Sequence, residues 1–426
     1  MAPCGVRTPC VQYAARREER QRPGNASAAH PRTRHTFDVM LTTLAISNYR
    51  TLRDIVLPLR QLNVVTGANG SGKSNLYRAV RLLAESAQGR IIPFLAREGG
   101  LTSTLWAGPE EVSRSVRRGQ HATQGTRRKG PIQLRLGFAS EEYSYAIDLG
   151  LPTPSTSEFN LDPEIKRECV WNGDRLRPSA VLVDRRGPTV LTRDDAGEWA
   201  ALTQGLAPFD SMMTHCADPR STPELLLLRE QMRAWRFYDH FRTDLDAPTR
   251  VSHIGTRTPV LGNDGADLPA ALLTIREIGD GRALDAAIDD AFPGSVVSVT
   301  NVEGRFELAM TQVGLLRALR ATELSDGTLR YLLWIGALLT PRPPALMVLN
   351  EPETSLHPDL LPALGRLVAR AAERCQVLVV SHAPRLIAAL ESVPSCHMIG
   401  LGKDFGETLV HGQTELDRPP WHWPSR

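Results

Sequence analysis

Apolar residues along the chain fall into two rhythms. Short, mainly apolar runs occur at Leu62–Val65, Ala345–Leu349 and Val377–Val380, as expected of strands buried in an α/β sheet. Elsewhere apolar and polar positions alternate. Ile132, Leu134, Leu136 and Phe138 fall on one strand face, and Tyr143, Tyr145, Ile147 and Leu149 on another, which predicts a β-hairpin. "CVWNGDRL", with an Asn172-Gly173 turn, and "AVLVDRRGPTVL" add strand and turn material, so an antiparallel β lobe is expected here. An extended segment is also expected around Leu44–Ile46.

Helical segments are expected in four places. Leu76, Val80 and Leu83 recur after a glycine-rich turn. Thr222-Pro223-Glu224 starts a helix whose apolar face carries Leu225, Leu228, Met232 and Trp235. "GNDGADLPAALLTI" reads as a turn entering another short helix, and Leu324-Ser325-Asp326-Gly327-Thr328 stands directly ahead of an apolar helix. No sustained heptads occur, so a coiled coil is not expected.

Composition changes this picture little. Of 426 residues, 42% are hydrophobic and 23% charged, and no apolar run approaches a membrane span. The six cysteines show no CxxC pairing, consistent with reduced thiols in a cytoplasmic protein. The net charge of +3 is uneven. Residues 1–39 hold seven Arg against Glu18, Glu19 and Asp38, a balance of +4, so residues 40–426 sum to −1. The first 39 residues also lack apolar periodicity, which predicts a disordered or non-native extension with the folded chain starting at Met40. One local basic run, 113–131, carries Arg114, Arg117, Arg118, Arg127, Arg128 and Lys129 without an acid. It suits either a nucleic-acid backbone or a solvated loop, and no aromatic residues interleave to stack bases.

The chemistry concentrates at strand ends. Gly67-Ala68-Asn69-Gly70-Ser71-Gly72-Lys73-Ser74 matches GxxxxGK[ST], between a strand and a helix. Such a loop turns backbone N–H groups toward phosphate oxygens, while Lys73 reaches the β- and γ-phosphates and Ser74 offers its hydroxyl to Mg²⁺. At average residue usage the pattern arises by chance in about one per cent of chains this long. Ser325 suits a helix N-cap and Gly327 leaves N–H groups accessible, a second anion-binding helix start. The remaining two strand ends carry Asn350-Glu351 and Ser381-His382.

Taken in order, the phosphate loop, the LSxG element, "EPE…LHP" and the strand-terminal His resemble an ABC-type ATPase head. The likeness is closer to the RecF/SMC-like branch of bacterial AAA-type ATPases than to a transporter subunit. The resemblance implies an α/β P-loop NTPase fold: a mixed sheet flanked by helices, plus an antiparallel β lobe and a helical insertion. It implies a single head over 40–412, in segments 40–110, 111–315 and 316–412, with a tail at 413–426. It also implies ATP and Mg²⁺ as cofactors and an ATP-dependent homodimer in which Ser325 and Gly327 act on the partner's nucleotide. Glu351 becomes the general base, His382 the γ-phosphate sensor and Ser355–Pro358 a loop at the dimer interface. Arg50 takes a basic position near the nucleotide, and DNA or a protein effector is a further partner.

Departures from the family pattern matter. Thr328 stands where transporters carry Gln, and Gln88 is a weak candidate for the glutamine loop. Asn350 occupies the position of an aspartate that holds Mg²⁺ through water; it keeps the acceptor oxygen and loses the charge. The expectation is a slow ATPase in which Asn350→Asp leaves hydrolysis unchanged or faster. The alternatives are a non-enzymatic nucleotide-gated switch and a transporter-type subunit.

Overall fold

The computed structural model describes residues 40–109, 131–194, 196–239 and 241–426. The extension 1–39 and all of the basic run but Pro131 lie outside the described residues. Two sheets and a helical layer organise the rest.

The first sheet is antiparallel. It contains β1 (Leu41–Tyr49), β2 (Leu52–Pro58), β4 (Leu134–Ser140), β5 (Tyr143–Gly150), β6 (Glu164–Asn172), β7 (Val181–Arg186), β8 (Thr189–Arg193) and β9 (Trp199–Thr203), in the order β2-β1-β4-β5-β6-β7-β8-β9. The hairpin expected from alternation is β4–β5. Its register pairs Leu134 with Leu149, Leu136 with Ile147 and Phe138 with Tyr145, so both apolar rows share one face rather than two.

The second sheet holds the unbroken apolar runs. Its order is β10-β15-β16-β3-β17-β18, from β3 (Leu62–Gly67), β10 (Arg236–Tyr238), β15 (Leu346–Asn350), β16 (Gln376–Val380), β17 (Cys396–Asp404) and β18 (Glu407–Val410). Pairings along β10-β15-β16-β3-β17 are all parallel, and only the β17–β18 pair is antiparallel. All five parallel strands therefore end at one edge, where open α/β sheets hold ligands. A third, small sheet joins β11 (His253–Ile254), β12 (Val296–Val302), β13 (Arg305–Thr311) and β14 (Leu319–Arg320).

Helix α1 (Lys73–Ser86) lies between the two large sheets. Leu76, Val80 and Leu83 share one apolar cluster with Ile46, Leu136 and Ile147 of the first sheet and Val65, Val348 and Val380 of the second. The short helices α2 (Ile91–Arg97), α3 (Leu101–Thr104) and α4 (Met212–His215), and then α5 (Pro223–Ala234), complete this side. The other face of the parallel sheet packs on a helical layer: α6 (Leu268–Ile278), α7 (Gly281–Ala291), α8 (Asp326–Leu338), α9 (Leu361–Ala372) and α10 (Pro384–Glu391). Leu62, Val64, Met347, Leu349, Val377 and Val379 face it, the alternate residues to those facing α1, as a period of two requires. Because α8 is enclosed between the sheet and other helices, it is apolar nearly all round.

The segment 111–315 differs from its expected content in one respect. After the helix at 223–234 and its C-cap Trp235, Arg236–Tyr238 form β10, an edge strand of the nucleotide-type sheet, and not part of an insertion. Residues 413–426 contain no helix or strand, yet they dock on the antiparallel sheet. Trp421 packs on Trp171 and Trp423, Arg135 lies over the Trp423 ring, and Arg426 pairs with Asp148. No helix among the described residues is long and apolar enough to cross a membrane.

Candidate nucleotide site

The phosphate loop leaves β3 at Gly67 and enters α1 at Lys73. Gly67 has φ +151, and a Cβ there would collide with the Leu401 carbonyl of β17. Gly72 has φ +107, and a Cβ would strike the Thr408 hydroxyl. Only glycine fits either place. No acidic residue occupies the first turn of α1 and no side chain caps it, so its N-terminal N–H groups remain available to an anion. Ala68, Asn69, Gly70 and Ser74 are exposed at the rim. Lys73 Nζ donates to the carbonyls of Gly67 at 2.6 Å and Ala68 at 3.1 Å, holding a cation within reach of the loop. Ser71 Oγ is buried without a partner.

Two supporting residues escaped the motif. The Thr408 hydroxyl lies 2.9 Å from the Ser71 carbonyl and 2.8 Å from Thr51 Oγ1, which also accepts from Asn75 Nδ2 at 2.8 Å. This network ties the loop to β18 and to the β1–β2 turn. Isolated threonines carry no sequence signal for such a role.

Parallel pairing brings the remaining strand ends alongside. β16 lies between β3 and β15, so Ser381-His382 stand between the phosphate loop and Asn350-Glu351. Glu351 sits at φ +49 with its N–H donated to the Val380 carbonyl at 2.8 Å. Its carboxylate is 3.8 Å from His382 Nδ1. Glu353, to which the motif reading gave no role, is nearer. Its Oε1 accepts from Ser381 Oγ at 2.8 Å and from the His382 N–H at 2.9 Å, and lies 3.3 Å from His382 Nδ1. The second Glu of "EPE" was the available signal.

Asn350 Nδ2 donates to Asp239 Oδ1 at 2.7 Å, while Asn350 Oδ1 is buried with no partner. Among the described residues, no group of three His, Cys, Asp or Glu side chains could hold a metal. The donors present, an exposed Ser74 hydroxyl and the unpartnered amide oxygen of Asn350, fit a Mg²⁺ that takes most of its ligands from phosphate and water.

Helix α8 begins on the opposite face of the sheet from α1. Ser325 caps it, accepting the Thr328 N–H at 3.2 Å, and is exposed. A Cβ on Gly327 would lie 3.4 Å from the Ser355 carbonyl, so the LSxG element abuts the loop after Glu351 within one chain. Two buried arginines fix this corner. Arg330 donates to the carbonyls of Thr354 at 2.8 Å and Phe241 at 2.9 Å. Arg250 pairs with Asp326 at 2.6 Å and donates to the Ala321 and Leu324 carbonyls at 2.9 Å each. Burial depresses the Arg330 pKa, and Asp326 opposes that shift.

Two expectations change. Arg50 Nη2 bonds Glu98 at 2.8 Å, and Tyr49 and Arg78 converge on the same carboxylate. The guanidinium thus anchors the segment around Glu98, and it is Thr51 that touches the loop network. Gln88 follows the C-terminal end of α1, about 20 Å from Lys73 at the helical rise, which removes it as a glutamine loop.

Several known proteins are similar to this chain. The family model described as "AAA domain, putative AbiEii toxin, Type IV TA system" matches residues 62–388. The DNA replication and repair protein RecF of Idiomarina loihiensis is 28% identical over 136 residues, 31% of this chain and 37% of that protein. The chain thus spans little more than a third of the length of that curated relative. Among solved structures, the SmcHead bound to the C-winged helix domain of ScpA has a TM-score of 0.44 at 13% identity, covering 87% of this chain and 97% of that one. The SMC head domain from Thermotoga maritima has a TM-score of 0.39 at 14% identity, covering 87% and 98%.

Proposed function

The chain belongs to the AAA-domain family whose model spans residues 62–388, and from that premise we propose that it is a slow ATPase head that closes as a homodimer around ATP. One observation carries the reading. The phosphate loop opens into a helix on one face of the parallel sheet, and the Ser325 cap opens a helix on the other. A phosphate held at Lys73 is served by its own strand edge, and a second copy supplies the Ser325 tip.

Within one head, the loop N–H groups and Lys73 bind the phosphates. When bound, Mg²⁺ would be held by Ser74, phosphate oxygens and a water oriented by Asn350, and would neutralise phosphate charge. Glu351 accepts a proton from the attacking water. His382, positioned by Glu353, donates toward the γ-phosphate. Ser325 and Gly327 of the partner add N–H donors from the far side. Asn350 offers that water an amide oxygen, a weaker acceptor than a carboxylate, which supports slow turnover. A cytoplasmic head of this kind would act on DNA or a protein effector, in repair, chromosome maintenance or defence.

Mass measurement in ATP tests the reading. Glu351→Gln should accumulate as a dimer in ATP and remain monomeric in ADP. A Glu351→Gln protein that binds ATP yet stays monomeric contradicts it.

A further inference from the structure

We infer that Asp239 is a positioning residue for the metal half of this site, restoring from a neighbouring strand the negative charge that Asn350 lacks. The inference rests on the nucleotide-site reading above and deepens it.

Three observations converge. Strand β10 pairs with β15 in parallel, with Tyr238 opposite Leu349, so Asp239 and Asn350 are the next residues of adjacent strands at the ligand edge. Asn350 Nδ2 donates to Asp239 Oδ1 at 2.7 Å. Only the nitrogen of an amide can face a carboxylate oxygen that closely, so the contact fixes the amide orientation. The oxygen is thereby turned away from Asp239, and it is this Oδ1 that is buried without a partner.

The pair thus does together what a single aspartate does elsewhere. Asn350 presents an acceptor to a metal-bound water, and Asp239 behind it supplies the charge and polarises the amide. Outer residues that orient a metal's partners in this way typically govern affinity by about 10- to 100-fold. The two positions also constrain each other. A carboxylate at 350 beside Asp239 would set two negative groups in contact, so Asn at 350 suits Asp at 239.

The test measures ADP affinity by calorimetry across a Mg²⁺ series and in EDTA, which requires no turnover. Asp239→Asn should raise the Mg²⁺ concentration needed for tight ADP binding about tenfold, with ADP affinity in EDTA unchanged. Asp239→Ser, neutral but still an acceptor, should behave alike and serves if the first variant does not fold. The exchange Asn350→Asp/Asp239→Asn should return the Mg²⁺ dependence to within about threefold of wild type. Wild-type Mg²⁺ dependence in both neutral variants overturns the inference while leaving the site reading intact. Wild-type ADP binding that is itself indifferent to Mg²⁺ overturns the site reading, and the inference falls with it.

Discussion

Glu353 holds His382 by its backbone. The carboxylate oxygen that accepts the His382 N–H at 2.9 Å also accepts the Ser381 hydroxyl at 2.8 Å, and its other oxygen is buried without a partner. A buried carboxylate accepting two donors makes charge-assisted bonds, stronger than neutral ones. Glu353→Gln keeps the shape and loses the charge. Turnover should fall about tenfold, corresponding to roughly 1.4 kcal/mol of transition-state positioning, while ADP affinity stays within about twofold. ATPase kinetics beside ADP calorimetry check this.

Thr408 supports the phosphate loop from an edge strand. Thr408→Val preserves volume but strands the Ser71 carbonyl, a loss of about 1–3 kcal/mol for a buried unsatisfied group. Urea denaturation should show it, together with weaker ATP binding. Gly72→Ala should be worse, since it meets both a φ of +107 and the Thr408 side chain.

Asn350→Asp reverses in sign from the sequence expectation. Beside Asp239 the new carboxylate repels its neighbour, so turnover should fall rather than hold or rise. Adding Asp239→Asn should recover it. Single-turnover ATP hydrolysis by the single and double variants decides the matter.

The β lobe contains a fully buried ion pair. Arg185 and Glu168 are both 0% exposed at 2.8 Å, and Glu168 also receives Tyr145 Oη, Ser211 Oγ and the Met212 N–H. Arg185→Ala leaves that carboxylate unpaired and should cost about 3–5 kcal/mol. Chemical denaturation reads this directly. Glu168→Gln should cost less, since the amide oxygen can keep Arg185 and the Met212 N–H while its NH2 turns to the Tyr145 and Ser211 hydroxyls, which can accept.

Thiol chemistry separates by burial. Desolvation pushes the Cys169 thiol up to about 12 and the Cys216 thiol up to about 11. The thiolate is the reactive form. At pH 8 the folded protein should therefore leave both unalkylated, and denaturant should expose both, as read by peptide mass.

Legibility followed locality. The phosphate loop, the Ser325 cap and the strand ends at Glu351 and His382 are written in short contiguous stretches, and parallel pairing then brings the strand ends together. Strand β10 escaped because three residues, Arg236–Tyr238, carry no period and follow a strong helix. Asp239 escaped with it. The docking of Trp421, Trp423 and Arg426 depends on partners 250 or more residues away in sequence, such as Trp171 and Asp148, and no local pattern encodes such pairs. Arg50 is engaged by Glu98 at 2.8 Å, a partner 48 residues on that no local pattern marks.

The central claim, that one nucleotide is shared by two chains, is tested most directly by mixing two inactive variants. Lys73→Ala disables the phosphate loop but keeps Ser325; Ser325→Arg does the reverse. If the site is composite, each mixed dimer contains one intact site, and ATPase activity should return on mixing to about a quarter of wild type, since half the dimers carry one site of two. If mixing restores nothing while the mixture still dimerises in ATP, or if Ser325→Arg is fully active alone, the nucleotide is served within a single chain and the account is wrong.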